Sequence, residues 1–200
     1  MTFKTPHSPL PGTAAVSFAL NGQQFTKQKA VSDLPKELVF DFYEPPYTSF
    51  YYPARGPSNG ANYQRHQGFG YMLGRPHLND RLFVRIMNVE TKNLTTEEIE
   101  IPSEQLNIDE WSWTLPPVNG PMDTVLQISL NQQDWHDVIN PDNGKSYLYY
   151  AAPHVNSISP AFGHVKTTKD QVIEITGTGF ACYDDDCSDL MCRFGNQPDE

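Results

Sequence analysis

The chain repeats itself at a near-constant interval, and that interval limits what it can fold into. "ALNGQQF" (19–25) returns as "SLNQQDW" (129–135), so Leu20, Asn21 and Phe25 meet Leu130, Asn131 and Trp135 at an offset of 110. At the same offset "FKTP" (3–6) faces "WTLP" (113–116). Further along, "FDFYEPP" (40–46) faces "YLYYAAP" (147–153) at 107, "GFGY" (68–71) faces "GTGF" (177–180) at 109, and "LFVRIMN" (82–88) faces "LMCRFGN" (190–196) at 108. Chance echoes scatter in offset, whereas a drift of a few residues is what changes in loop length leave behind. The chain is therefore read as a repeat.

One repeat unit reads as short strands. "RLFVRIM" (81–87), "TVLQISL" (124–130) and "SYLYYAA" (146–152) are apolar or alternating runs, bounded by the turn signals "HLND" (77–80), "PVNGP" (117–121) and "NPDNGK" (140–145). In "TVLQISL", Leu126, Ile128 and Leu130 oppose Val125, Gln127 and Ser129. A period of two with one greasy face means a sheet half-buried against another layer. Seventeen Pro and 13 Gly disfavour helix interiors, and 21 Phe and Tyr favour strands. "SDLPKEL" (32–38) is cut by Pro35. "TTEEIEIPSEQL" (95–106) offers a Thr cap for a helix, but its isoleucines alternate and Pro102 interrupts it. Many short strands in a unit of this length predict an all-β chain of antiparallel sandwiches of immunoglobulin type.

Residues 153–180, "PHVNSISPAFGHVKTTKDQVIEITGTGF", with "LMCRFGN" (190–196), resemble the opening of an IPT/TIG domain. The matching positions are Pro153, Ile158, Pro160, Gly163, Ile175, Gly177, Phe180, Cys192, Phe194 and Gly195. "WTLP", "ISLNQQDW" and "YLYYAAP" resemble the closing half of the same immunoglobulin-like family. The resemblance implies tandem E-set/TIG β-sandwiches: residues 1–46 as the C-terminal part of one domain, 47–153 as a complete domain, and 154–200 as the N-terminal part of a third. The middle copy departs in two places. "FYYPARG" stands for "ISPAFG", and Val89–Asp109 is longer than the family pattern. On this reading the chain is a piece of a longer polypeptide and Met1 is internal to it. Extracellular members often carry a second Cys in a "C-x-T-P" strand. Phe3 and Trp113 occupy that position here, so the resemblance supplies no mate for Cys192.

Charge narrows the partners. The net charge is −10, from 14 basic and 24 acidic residues, with no basic cluster to replace counterions on phosphate. Nucleic acid and anionic membrane are poor partners, and no apolar run approaches the ~20 residues of a membrane helix. The cysteines, Cys182, Cys187 and Cys192, sit within 11 residues and do not make a stapled scaffold, which leans toward a reducing compartment.

No residue is assigned a catalytic, cofactor-binding or metal-ligating role. "CYDDDCSDLMC" (182–192) is read as a solvated acidic loop spanning 183–189, with a Cys182–Cys187 disulfide or a bound cation as alternatives. His136, between Asp134 and Asp137, is placed in a hairpin turn on the surface. "QGFGYMLG" (67–74) is strand and turn rather than a phosphate loop. Trp113 falls on the repeat's Phe3 position, which places it in the core. "NLT" (93–95) is a glycosylation sequon that matters only in a secreted chain.

The linkers "YEPPYTSFYYP" and "YAAPHVNSISP" join strand to strand through a few residues stiffened by Pro. Units joined this way line up as a semi-rigid rod, suited to spacing and lateral contact with other protein chains. The expectation is a non-catalytic structural or interaction segment, cytoskeletal or ciliary. The alternative is an extracellular adhesion or ligand-binding ectodomain.

Overall fold

In a computed structural model, the chain is described over residues 2–25, 39–71, 81–139, 144, 147–163, 171–183, 187 and 190–195. The described residues are all-β apart from one 3-10 turn at Ser103–Gln105. The strands are β1 (Gly12–Ala15), β2 (Val39–Phe42), β3 (Tyr47–Tyr52), β4 (Arg55–Pro57), β5 (Tyr63–Phe69), β6 (Phe83–Asn88) and β7 (Ile99–Glu100). They continue as β8 (Glu110–Thr114), β9 (Met122–Ser129), β10 (His136–Val138), β11 (Tyr147–Tyr150), β12 (His154–Ser159) and β13 (Glu174–Thr178).

Residues 47–150 build two sheets. One is β3-β5-β8; the other is β4-β11-β9-β6-β7, with β10 also paired to β9. All neighbours run antiparallel except β4 and β11, which pair parallel through Leu148 and Arg55. One core joins the two sheets. Tyr51, Trp111 and Trp113 come from the first, and Val84, Ile86, Leu126, Ile128, Tyr147 and Tyr149 from the second. Each fully covered aliphatic side chain of this kind contributes about 1.5–3 kcal/mol. The outer face of the larger sheet is polar: Arg85 Nε donates to Gln127 Oε1 at 2.8 Å, and Gln127 Nε2 donates to Asp137 at 2.6 Å.

The Thr-capped helix considered for 95–106 does not form. Leu94 bridges to Met87, Ile99–Glu100 pairs with β6, and helical geometry lasts one turn after Pro102 before Leu106 returns to extended backbone. Ile101 and Leu106 are buried, so the apolar alternation prevails over the capping signal. This long excursion crosses from the edge of β6 to Trp111 on β8, which Leu106 bridges. Residues 32–38 lie outside the described residues.

The two remaining strand pairs reproduce geometry found in residues 47–150. In β3–β5, Tyr47 faces Phe69, Thr48 faces Gly68, and Tyr51 faces His66, with a register shift between Thr48 and Phe50. In β12–β13, His154 faces Thr178, Val155 faces Gly177, and Ile158 faces Ile175, with the shift between Val155 and Ser157. The peptide bonds before Pro53 and Pro160 are both cis, and Gly70 and Gly179 both have φ of +80°. Gly68 and Gly177 serve the same close approach. A Cβ there would lie 1.9 Å from the Tyr47 carbonyl oxygen in one pair and 2.1 Å from that of His154 in the other.

The pair β1–β2 matches β9–β11 equally well. Gly12 faces Phe42 and Ala14 faces Phe40, as Met122 faces Tyr149 and Thr124 faces Tyr147. The edge-to-face pair Phe40–Phe42 has centroids 5.0 Å apart, against 4.9 Å for Tyr147–Tyr149. The echoed "LN" motif has a local cause. Asn131 Oδ1 accepts from the backbone N–H of Gln133 and of Asp134, both at 2.9 Å. Asn21 Oδ1 accepts from those of Gln23 and Gln24 at 3.0 and 2.9 Å. Asn serves here because its short side chain can close a turn on its own backbone. The next residue is left-handed in both turns, Gly22 at φ +69° and Gln132 at +59°.

Candidate interaction surfaces

Strand β5, "YQRHQGF", has no apolar period, yet it buries Gln64 and His66 completely. The two polar side chains satisfy each other. Gln64 Oε1 accepts from Trp113 Nε1 at 3.0 Å and lies 2.9 Å from His66 Nε2, while Gln64 Nε2 donates to the Pro53 carbonyl at 2.8 Å. The amide is thereby oriented, and His66 carries its proton on Nε2. Its ring stacks on Trp111 at 3.7 Å between centroids, 10° from parallel, with Tyr51 at 5.4 Å. His66 Nδ1 has no hydrogen-bond partner among the described residues. Burial therefore holds the imidazole neutral, its pKa well below the ordinary histidine range. Burial also pushes the phenol of Tyr147 up to about 12, although Asn62 Nδ2 donates to it at 3.3 Å. These groups are closed to solvent, so they serve the core and not a site.

The outward face of β3-β5-β8 carries exposed aromatics. Tyr47 and Phe69 lie 5.4 Å apart at one end, with Phe50, Tyr52 and Tyr63 also exposed. Between them Arg65 Nε donates to Glu110 at 2.7 Å, an exposed pair that water and salt screen. A second surface lies where β11 leads into β12. There the Tyr183 ring sits 5.5 Å from Tyr150 and 5.8 Å from the Arg55 guanidinium, tying Tyr183 to the preceding sheet.

The third surface is the pair of faces turned toward no other sheet among the described residues. Val155 and Ile158 of β12–β13 are 52% and 49% exposed, and Phe40 of β1–β2 is 40% exposed. Their counterparts Tyr51 and Tyr147 are 1% and 0% exposed.

The residues weighed for chemistry fall into three kinds of place. Cys182 and Cys187 form a disulfide, with Cα atoms 4.7 Å apart, and Cys192 is a free, exposed thiol. The disulfide is the alternative that stood beside the solvated acidic loop for residues 182–192. Asp184, Asp185, Asp186 and Asp189 lie outside the described residues. Among the described residues no cluster of three His, Cys, Asp or Glu is placed to hold a metal ion.

His136 opens strand β10, opposite Ile128, rather than sitting in the turn. Its acidic neighbours are engaged elsewhere: Asp134 accepts from Asn131 Nδ2 at 2.8 Å, and Asp137 from Gln127. Gln67–Phe69 belong to β5, and residues 72–74 of the glycine-rich stretch lie outside the described residues. Trp111 and Trp113 are core, whereas Trp135 lies half-buried on the surface beneath Arg85, 4.1 Å from the guanidinium. Asn93 is exposed in the turn after β6, and Thr95 Oγ1 donates to the Ile86 carbonyl at 3.0 Å. Compared with protein-family models and with curated proteins, the chain matches none.

Proposed function

We propose that the chain is a non-catalytic segment of tandem immunoglobulin-like β-sandwiches of IPT/TIG type. It acts as a semi-rigid spacer and as a contact surface for other protein chains. The observation that carries this reading is the shared register. Five facing pairs of β3–β5 recur in β12–β13, and three of β9–β11 recur in β1–β2. Two proline-stiffened joints of a few residues, with Tyr183 against Tyr150 and Arg55 at one of them, limit the freedom between units. The exposed aromatics on β3 and β5 suit protein contact. The charge of −10 disfavours nucleic acid. Among the described residues no helix is long and apolar enough to cross a membrane.

Small-angle scattering at high dilution tests the proposal. A compact 200-residue globule has a radius of gyration of about 16 Å. Stacked units give a clearly larger value and the distance distribution of an elongated particle. A compact distribution near the globular value overturns the reading.

A second setting is favoured by the Cys182–Cys187 disulfide together with the exposed sequon at Asn93: an extracellular adhesion or ligand-binding ectodomain instead of a cytoskeletal or ciliary scaffold. Expression through the secretory route decides it. A glycan on Asn93 and an intact disulfide in the native protein support the surface setting. An unmodified Asn93 with reduced thiols supports the intracellular one.

A further inference from the structure

The joint between β11 and β12 is spanned by a side chain whose neighbour is closed into a disulfide. Its floor is on the larger sheet. Leu148 of β11 faces Arg55 of β4, and Tyr150 lies two residues on, so the Arg55 and Tyr150 side chains leave the same face. The backbone there is anchored, because the Ser58 N–H donates to the Tyr150 carbonyl at 2.7 Å. The chain then passes through Ala151, Ala152 and Pro153, all exposed and outside any strand, into β12. It comes back as Tyr183. Residues 179–183, beyond the end of β13, belong to no strand, yet the Tyr183 ring lies 5.5 Å from the Tyr150 ring and 5.8 Å from the Arg55 guanidinium.

The restraint on Tyr183 is covalent. Cys182, the residue before it, is bonded to Cys187 with Cα atoms 4.7 Å apart. Cys187 is held in turn at a left-handed φ of +55°, and its carbonyl accepts from the Leu190 N–H at 3.0 Å. Without the bond, backbone outside any strand must be ordered for the sake of one ring contact, and its conformational entropy opposes that. The bond is within reach of a reductant, since Cys182 is exposed and Cys187 half-buried.

We propose that the Cys182–Cys187 disulfide is a redox-controlled clamp on the β11–β12 joint, acting through Tyr183. Oxidised, it presents the Tyr183 ring to Tyr150 and Arg55 and stiffens the joint. The reductant is a dithiol. One of its thiolates attacks a sulfur of the disulfide, the S–S bond breaks, and the other cysteine leaves as a thiolate that takes up a proton. The reductant's second thiol loses its proton and displaces the first cysteine, which is protonated in turn, while the reductant closes as its own disulfide. Two electrons pass to the protein, and Tyr183 loses its tether. The consequence for spacing rests on the tandem reading proposed above, on which the stiffness of this joint follows the thiol state of its surroundings. The clamp itself needs only the contact of Tyr183 with Tyr150 and Arg55.

Elastase cleavage after Ala151, with the fragment identified by mass, tests the clamp. The whole chain, Tyr183→Ala and Tyr183→Phe are each digested oxidised and again after reduction by dithiothreitol and capping of the thiols. Tryptophan fluorescence from Trp111 and Trp113 verifies that residues 47–150 are folded, and a single reactive thiol verifies that the disulfide is intact beforehand. Reduction is expected to speed cleavage of the whole chain roughly three- to tenfold, the range that one ring pair and one cation–π contact support. Oxidised Tyr183→Ala is expected to be cut at the fast rate already, with nothing added by reduction. Tyr183→Phe keeps the ring and is expected to follow the whole chain. Cleavage of the whole chain that ignores reduction overturns the proposal. So does a reduction effect that persists in Tyr183→Ala, or a Tyr183→Phe cut as fast as Tyr183→Ala. Scattering separates this from the tandem reading. A compact particle with redox-dependent cleavage overturns that reading and leaves the clamp, whereas an elongated particle with indifferent cleavage overturns the clamp alone.

Discussion

Acidification should destabilise the two-sheet unit of residues 47–150 through one residue, His66. Its ring lies between Trp111 and Tyr51, wholly removed from water, with Nδ1 unpartnered among the described residues. Burial lowers its pKa well below the ordinary value of about 6.5 that an unfolded histidine keeps. The folded state thus binds fewer protons than the unfolded state, and stability falls as pH falls. The contribution is fully present above pH ~6.5 and is lost progressively below it, at about 1.36 kcal/mol per pH unit while the folded ring stays neutral. That slope is the most the group can contribute, and it is set against a typical stability of about 5–15 kcal/mol. A charged imidazolium on the Trp111 face would recover about 2 kcal/mol of cation–π attraction. Removing a charge from water costs several kcal/mol, so desolvation prevails.

The assay is urea unfolding followed by tryptophan fluorescence from pH 7.5 to 4.5. Trp111, Trp113 and Trp135 all lie within residues 47–150. The control is His66→Phe, which keeps an aromatic ring in the stack and cannot take a proton. Gln64 Oε1 still accepts from Trp113, so the variant should lose only about 1 kcal/mol at pH 7.5 for the missing hydrogen bond. Carboxylates that titrate in both proteins cancel in the difference. The wild type should therefore lose stability faster than the variant as pH falls below about 6.5, by up to about 1.36 kcal/mol per pH unit. Stability curves that run parallel across this range refute the argument, because they would show that the folded state takes up the proton as readily as the unfolded chain.

Gly68→Ala drives a Cβ into the Tyr47 carbonyl oxygen, a backbone atom that cannot swing aside, and should cost more than about 2 kcal/mol in the same urea assay. A loss under about 0.5 kcal/mol would show that β3 and β5 can separate freely. Asn131→Ala removes the acceptor of two backbone N–H groups and should cost about 1 kcal/mol, whereas Asn21→Ala should leave the tryptophan-reported midpoint unchanged. Thiol titration of the native chain should find one reactive cysteine, Cys192, rising to three after reduction and unfolding.

The parts of the fold that could be read in the sequence are those where side-chain alternation reports burial directly. "TVLQISL" became β9, "RLFVRIM" gave β6 and "SYLYYAA" gave β11, each within a few residues. Trp113 could be placed in the core because the repeat set it opposite Phe3. Strand β5 was hidden, since hydropathy treats Gln64 and His66 as surface residues. They are buried because each supplies the other's hydrogen bond, and no single-residue scale encodes that pairing. In the 95–106 segment the alternation of Ile99 and Ile101 outweighed the Thr cap, and Ile101 and Leu106 are buried. The Cys182–Cys187 bond could be named only as an alternative, because a spacing of five fixes neither the backbone direction nor the Cβ approach on which closure depends.

The strand pairs that share a register keep some residues and change others, and the division follows the backbone. Gly68 and Gly177 permit the same close approach, Gly70 and Gly179 take the same left-handed turn, and Asn21 and Asn131 close the same loop on their own chain. Core positions are freer, because a covered volume can be filled in several ways. Gln64 and His66, a polar pair that must be mutually bonded, stand where the third segment has Ile173 and Ile175. The exchange changes what exposure costs. An uncovered Gln or His can return to water at little loss, whereas each Ile left in water forgoes about 1.5–3 kcal/mol of burial. The β12–β13 face is therefore more strongly driven to find a cover than β3–β5 would be, and a closing pair with the register of β9–β11 has the geometry to supply it.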